Sequence, residues 1–540
     1  MKRRLCSWAC RDALSHAHMR GRLTMCLVCF ACVGMILVWR LFDVMVFVAA
    51  QAPVSATHDI VRGNIYDRNG VLLAVSLPTT SAYVHPDDIY GDRAKETFAR
   101  AVASVLPHVD GDHLYDRLKG REKFIWLERN MTPTRHQQLM EKAIPGVHFV
   151  RSSRRFYPHK ALTSHIVGFT DIDHKGLAGV EYASQEALHQ GQDVHMTVDI
   201  RFQHILKQAL LSLIPVYKPK AAVAIMLDVR DSSILASVSL PDYNPHYAGK
   251  YDENARFHRA THGIYELGSP LKLFTAALAL ERGASLYDRH YNVRDFLRVD
   301  DIEIRDAHIR LPVMSLAQIV TYSSNVGAAR VALSMGQDAY LRFLKRFHFF
   351  QSLPSDISER GTPRYPSVWH KGDWVSSSYG YSLAITPLHL ATAVASLVNG
   401  GVYHAPFIVR GRSESSSHVV AGYRVISEGT SASMRRLLRD VVIYGTGKQA
   451  SDTSVTIGGK TGTAEKASIG GYDHDRLVVS FVAVFPMEEP RYALFVLVDE
   501  PQTSPAGEAL SGGTVATPLA RDIAQHIMRL HQNDRHGGAL

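Results

Sequence analysis

An uninterrupted apolar run dominates the start of the chain. From Leu23 to Trp39 it reads LTMCLVCFACVGMILVW without a charge, and after Arg40 it resumes as LFDVMVFVAA to Ala50. That length predicts one transmembrane helix over residues 23–50. Arg40 and Asp43 stand three apart on one helical face, where they can pair at the outer boundary of the span. Past this segment the pattern is that of folded domains. Arg62–Gly70 followed by Val71–Val75 predicts strand, Asn-Gly turn and strand, and residues 53 to about 190 mix short strands with polar helices. Phe202, Ile205, Leu206, Ala209, Leu210 and Leu213 recur at helical spacing. Ala221–Leu227 with Ser233–Val238, and Leu477–Phe485 with Tyr492–Val498, read as two hairpins. Helical patterns fill Pro270–Glu281, Leu316–Ser334, Pro387–Val398 and Val515–Leu530. A hairpin, many helices and a late hairpin predict an α+β fold, its antiparallel sheet built from distant ends of the segment.

Charge and cysteine placement orient this picture. Lys2, Arg3, Arg4, Arg11, Arg20 and Arg22 face Asp12 alone, so more than half of the net +9 lies ahead of the apolar run. The positive-inside rule then predicts a cytoplasmic N-terminus and an exported body. The mild charge left over excludes a nucleic-acid binder. A cleaved signal peptide is the rival reading, since Ala50-Gln51-Ala52 has a small-x-small form; the long basic region and long apolar segment favour an uncleaved anchor. Cys6, Cys10, Cys26, Cys29 and Cys32 are all five cysteines, so no disulfide can form within the body. Among the 28 histidines no H-x-x-x-H helix pair or His/Cys cluster stands out, and neither metal nor cofactor is expected. The low-complexity content is the short serine run Ser413–Ser417.

Three short patterns carry chemistry. Ser269-Pro270-Leu271-Lys272 follows Gly268 and opens a helical run; proline suits the first turn, and residues i and i+3 share a face. A serine needs a neighbouring base to become a nucleophile, and a desolvated lysine can serve. Ser323-Ser324-Asn325 could be a helix cap, or Ser323 could shuttle a proton and Asn325 hydrogen-bond a substrate. Lys460-Thr461-Gly462-Thr463 could be an ordinary glycine turn. Alternatively it is an edge strand beside a cleft, with Lys460 supplying charge, Thr461 and Thr463 hydroxyls for a carboxylate, and Gly462 room for a substrate backbone.

In this order, behind an anchor, the three patterns resemble the S-x-x-K, S-x-N and K-[ST]-G signatures of the penicillin-binding serine acyltransferases. The surroundings are similar to class B penicillin-binding proteins. Glu266-Leu267-Gly268-Ser269 resembles the E-P-G-S of that family and Arg62–Gly70 its R-G-x-I-x-D-R-x-G hairpin. Phe156-Tyr157-Pro158 with Gly168-Phe169, Ser382–Leu388 and Gly512–Pro518 resemble further segments. Ser323-Ser324-Asn325 and Lys460-Thr461-Gly462-Thr463 look like the septal FtsI type. Leu267 and Pro270 depart from the pattern, and the chain between Glu181 and Thr197 is shorter than in many relatives, implying a reduced pedestal head.

The resemblance implies a basic tail (1–22), an anchor (23–50), a pedestal or dimerisation-like domain (51–192), a transpeptidase domain with a central antiparallel sheet flanked by helices (193–535) and a tail (536–540). It implies a D,D-transpeptidase of peptidoglycan stem peptides, inhibited by β-lactams, in the bacterial inner membrane. Ser269 would be the nucleophile, Lys272 its base and Ser323 the proton carrier. The N–H groups of Ser269 and Thr463 would form the oxyanion hole. Lys460, Thr461 and Thr463 would hold the terminal carboxylate and Asn325 the amide. A glycan polymerase of the FtsW type and other division proteins are the implied partners. Competing readings are an elongation-type transpeptidase, a β-lactamase or β-lactam sensor of the same fold, and a non-catalytic scaffold.

Overall fold

The structure, a computed structural model, describes residues 25, 28–40, 61–307, 311–411, 422–468, 471–504 and 507–537. Two compact units divide at residue 60. In the first, residues 28–40 are helical and exposed; among the described residues no helix is long and apolar enough to cross a membrane. The basic tail, Cys6, Cys10, Cys26, Asp43, Ala50-Gln51-Ala52 and the serine run fall outside the described residues.

The second unit is α+β. It begins with the predicted hairpin: β1 (Ile65–Tyr66) pairs antiparallel with β2 (Leu72–Val84). The Asp67 carboxylate accepts the N–H groups of Asn69 and Val71, which fixes the turn. There follow α1 (Asp92–Val105), α2 (Gly111–Lys119), β3 (Ile125–Met131), α3 (Pro133–Lys142) and β4 (His148–Phe156). β2 runs between β3 and β4, and the helices cover one sheet face, Phe98, Val102, Leu118 and Leu139 sharing a core with Leu127 of β3. The stretch between Glu181 and Thr197 adds no residue to that core; its strand β5 (Val194–His195) pairs in parallel with β1 at the base. There Glu181 lies between two buried guanidinium groups, 2.7 Å from Arg62 Nε and 2.6 Å from Arg155 Nε. Arg155 also donates to the Arg62 carbonyl and to Ser76 Oγ, so the knot joins the hairpin, β4 and the segment after Gly168.

The remainder is three-layered. After α4 (Ile200–Tyr217) come β6 (Ala221–Asp228), β7 (Ile234–Leu240), β8 (Tyr265–Glu266), α5 (Lys272–Glu281), α6 (Leu316–Thr321), α7 (Asn325–Met335), β9 (Ala384–Ile385), α8 (Pro387–Val398), α9 (Glu428–Ile443), β10 (Gly458–Ser468), β11 (Gly471–Phe485), β12 (Tyr492–Asp499) and α10 (Thr517–Gly537). The antiparallel sheet has the order β10-β11-β12-β6-β7, so the two predicted hairpins do join across the sequence. Alternation decides which face each residue serves. Ala222, Ala224, Met226, Phe481 and Ala483 pack with Leu206, Leu210, Ile523 and Ile527 of α4 and α10. Val223, Ile225, Leu227, Val482 and Val484 join the larger core with Phe274 of α5 and Leu390 of α8. That core continues into Ile65, Leu73, Tyr157 and Val180, so the base of the N-terminal module and the sheet domain share one apolar interior. Two carboxylates add polar ties, Glu359 to the Gly179 N–H and Asp67 to the Ile200 N–H.

Leu316–Ser334, predicted as one helical stretch, is broken. α6 ends at Thr321, Ser323 adopts a left-handed backbone (φ 62°), and α7 starts at Asn325. Ser324 takes the predicted cap role, accepting the Gly327 N–H at 2.8 Å.

Removing the shared carboxylate leaves two buried guanidinium groups unpaired. Glu181→Ala is expected to cost about 3–5 kcal/mol, whereas Glu96→Ala, at an exposed pair with Arg100, should cost well under about 1 kcal/mol. Thermal unfolding of the two variants checks the contrast.

Candidate active site

Ser269 opens a single 3-10 turn, Ser269–Leu271, that feeds α5 and sets Lys272 one turn below it. Gly268 before it has φ 65°, and a Cβ there would lie 2.9 Å from the Thr463 carbonyl, so the Ser269 turn touches β10 directly. Gly462 is also pressed against this turn. A Cβ at 462 would meet Ser480 Oγ at 2.3 Å and the Leu267 carbonyl at 2.7 Å, so the absence of a side chain here lets β10 seat on the turn. The turn forms with Leu267 and Pro270 in place, so neither departure from the family pattern disturbs it.

The three sequence patterns converge on two lysines. Lys272 is 1% exposed and Lys460 fully buried. Lys272 Nζ lies 2.9 Å from Ser269 Oγ, 2.7 Å from the Ser323 carbonyl, 3.1 Å from Ser323 Oγ and 2.7 Å from Asn325 Oδ1. Ser323 Oγ is 2.8 Å from Ser269 Oγ and accepts from Lys460 Nζ at 3.0 Å. Lys460 also donates to the Thr461 carbonyl (3.2 Å) and Thr461 Oγ1 (3.4 Å). The break between α6 and α7 thus delivers the Ser323 hydroxyl between both ammonium positions. Burial drives the Lys272 pKa down to about 7 against the opposing charge of Asp306. Burial, and then the positive charge of Lys272, hold Lys460 well below the ordinary lysine value.

Asp306, which the sequence patterns do not single out, holds the Ser323–Asn325 segment. Its Oδ1 accepts the N–H groups of Asn325 (2.5 Å) and Val326 (3.0 Å), and its Oδ2 accepts Ser324 Oγ (2.6 Å). The Asn325 amide is oriented at both ends, Nδ2 donating to the Arg305 carbonyl at 3.2 Å while Oδ1 faces Lys272. One amide N–H remains for a substrate. β10 is an edge strand, as the third pattern suggests; Thr461 Oγ1 lies 2.6 Å from Thr446 Oγ1, and Thr463 Oγ1 accepts the Gly512 N–H at 3.0 Å. Ser269, Ser323, Asn325, Thr461 and Thr463 line a cleft of about 560 Å³, while Lys272 and Lys460 sit beneath its surface. Tyr379, Tyr381, Thr446, Lys448, Gln449, Ser511 and Thr514 also contribute to the lining. For Tyr379, Tyr381, Ser511 and Thr514 the sequence signal was the neighbourhood of Ser382–Leu388 and Gly512–Pro518; Thr446, Lys448 and Gln449 had none.

Family models match in the order the fold suggests. Residues 222–525 match the penicillin binding protein transpeptidase domain and residues 59–194 the penicillin-binding protein dimerisation domain. The chain belongs to the penicillin-binding transpeptidase family. A relative from Caulobacter vibrioides, named probable peptidoglycan D,D-transpeptidase FtsI, is 33% identical over 86% of this chain and 80% of its own. Peptidoglycan D,D-transpeptidase FtsI of Escherichia coli is 28% identical over 87% and 83%. The solved penicillin binding protein 3 of Mycobacterium, complexed with aztreonam, has a TM-score of 0.70, covering 87% of this chain and 96% of its own. A peptidoglycan synthetase from Bifidobacterium adolescentis gives 0.69 over 87% and 95%. At 21% identity each, these two structures establish the shared fold of this transpeptidase.

Asp306→Ala removes the acceptor for three donors at the start of α7. A stability loss of about 1–2 kcal/mol, the worth of a helix cap, is expected and is read from the shift in thermal unfolding of the variant.

Proposed function

We propose that this transpeptidase crosslinks peptidoglycan stem peptides through an acyl-enzyme on Ser269. The observation that carries the reading is the set of acceptors around Lys272. A neutral amine has two N–H groups and one lone pair. The Ser323 carbonyl and Asn325 Oδ1, both pure acceptors at 2.7 Å, take the two N–H groups. The lone pair is then left for the Ser269 hydroxyl at 2.9 Å. With burial favouring the neutral form, Lys272 is suited to take the Ser269 proton as Oγ attacks the penultimate D-alanine carbonyl.

The N–H groups of Ser269 and Thr463 stabilise the oxyanion, a role supported by the contact between the Gly268 turn and β10. Ser323 passes a proton to the departing D-alanine amine, and its hydroxyl between Lys272 and Lys460 fits that relay. Thr461 and Thr463 hydrogen-bond the terminal carboxylate, Lys460 supplies charge from below, and Asn325 donates to the peptide. The amine of a second stem peptide then attacks the ester; its surplus proton goes to Lys272, and Ser269 Oγ recovers its hydrogen as the ester breaks. β-Lactams follow the first step and stop at the acyl-enzyme.

The FtsI names of the relatives and the Ser323-Ser324-Asn325 and Lys460-Thr461-Gly462-Thr463 patterns support a septal role alongside a glycan polymerase of the FtsW type and other division proteins. The apolar run 23–50 with its basic flank supports a single-pass anchor, N-terminus in the cytoplasm and the body outside, with 51–192 as pedestal and 193–535 as catalytic domain.

Membranes carrying the wild type are expected to label covalently with a fluorescent penicillin and those carrying Ser269→Ala to remain unlabelled. An unlabelled wild type overturns the enzyme reading. A tagged copy should gather at mid-cell during division; an even distribution along the side wall would favour an elongation role.

A further inference from the structure

The charges that line the cleft are unevenly committed. Lys272 and Lys460 lie beneath its surface, and the ammonium of Lys460 already has three acceptors, Ser323 Oγ and the carbonyl and hydroxyl of Thr461. An ammonium has three donors, so Lys460 has none left for a ligand. Asp306 is equally spent, its two oxygens accepting from Asn325, Val326 and Ser324. Among the described residues, the remaining charged side chain on the cleft wall is Lys448. It opens the short turn Lys448–Ala450, is exposed to solvent, and among the described residues has no carboxylate partner. It stands two residues beyond Thr446, whose hydroxyl touches that of Thr461, and so at the hydroxyl-rich end of the cleft.

We propose that Lys448, with Gln449 beside it on the wall, is an accessible cation that recognises a peptide carboxylate in this cleft. The inference rests on the transpeptidase reading and adds to it a determinant outside the three sequence patterns. Thr461 and Thr463 offer directional hydroxyls but no charge, whereas the ammonium of Lys448 can move to meet an anion entering from solvent. The same chemistry has two sources: the terminal carboxylate of the donor peptide, and the carboxylate beside the attacking amine of the acceptor. These occupy the site in turn, because the first departs with the leaving D-alanine before the second arrives.

The test uses the full chain in detergent. Two thioester donors, an N-acyl-D-alanyl thioglycolate and its uncharged glycolamide counterpart, are compared, with D-alanine and D-alaninamide as acceptors. Lys448→Met is expected to lose about ten-fold, the worth of one charge-assisted hydrogen bond, with a charged probe while the uncharged probe is unaffected, and Lys448→Arg to recover most of it. A loss in kcat/KM for the charged donor identifies the donor carboxylate; a loss confined to aminolysis by D-alanine identifies the acceptor carboxylate. Equal losses with charged and uncharged probes, or no loss with either, overturn the proposal. End-point penicillin labelling of Lys448→Met separates the two readings: retained label with unchanged kinetics removes the role of Lys448 alone, while an unlabelled wild type removes transpeptidation itself.

Discussion

Two lysine nitrogens in a dry pocket must be satisfied without both carrying charge, and the site is arranged around that constraint. Placing ammonium groups out of contact with water is costly, and two of the same sign oppose each other as well. The chain meets this with neutral acceptors: hydroxyls, a carbonyl and a side-chain amide. The nearby carboxylate, Asp306, is bound to the backbone of the Ser323–Asn325 segment and moderates the shift at Lys272 without pairing to it. A direct carboxylate partner would hold Lys272 protonated. The amine would then be useless as a base toward Ser269, so the preference for neutral acceptors is also a chemical requirement.

The scaffold supplies the closeness this arrangement needs. Ser269 and Lys272 come from one turn and the helix it starts, Ser323 and Asn325 from a break between two helices, and Lys460 from an edge strand. None of the three elements contacts the others through local sequence. They meet because the bare backbones at Gly268 and Gly462 let β10 lie against the Ser269 turn, and because Asp306 pins the start of α7. Behind them the sheet is buried on both faces, between α4 with α10 on one side and α5 with α8 on the other. A rigid backing of this kind is what holds a proton relay within hydrogen-bond distance.

Period and spacing made the helices, both hairpins and the pairing of Ser269 with Lys272 legible in the sequence. They failed where backbone geometry departs from a regular repeat. The apolar spacing of Leu316–Ser334 runs through the break, yet Ser323 is turned out of the helix into a left-handed conformation, and no periodicity announces that. The residue types left Ser323 open between a cap and a proton carrier, and the resemblance favoured the second. Asp306 was invisible for another reason: an isolated aspartate in a loop has no spacing to read, and its importance comes from three donors brought to it by folding. Asn325 was expected to serve a substrate; its Oδ1 contact with Lys272 is a further feature that spacing does not announce. Lys448 and the tyrosines of the wall likewise gain meaning only from a cleft that tertiary structure creates.

The central claim is that Lys272 works as a neutral amine, its ammonium form disfavoured by burial. The direct measurement is the second-order rate of penicillin acylation of the wild type as a function of pH. Protonated Lys272 cannot accept the Ser269 proton, so the rate should be low in acid, rise with the slope of one proton through about 7 and level off above it. A rate that ignores pH across that range, or one that climbs only toward the ordinary lysine value near about 10.4, would contradict the account.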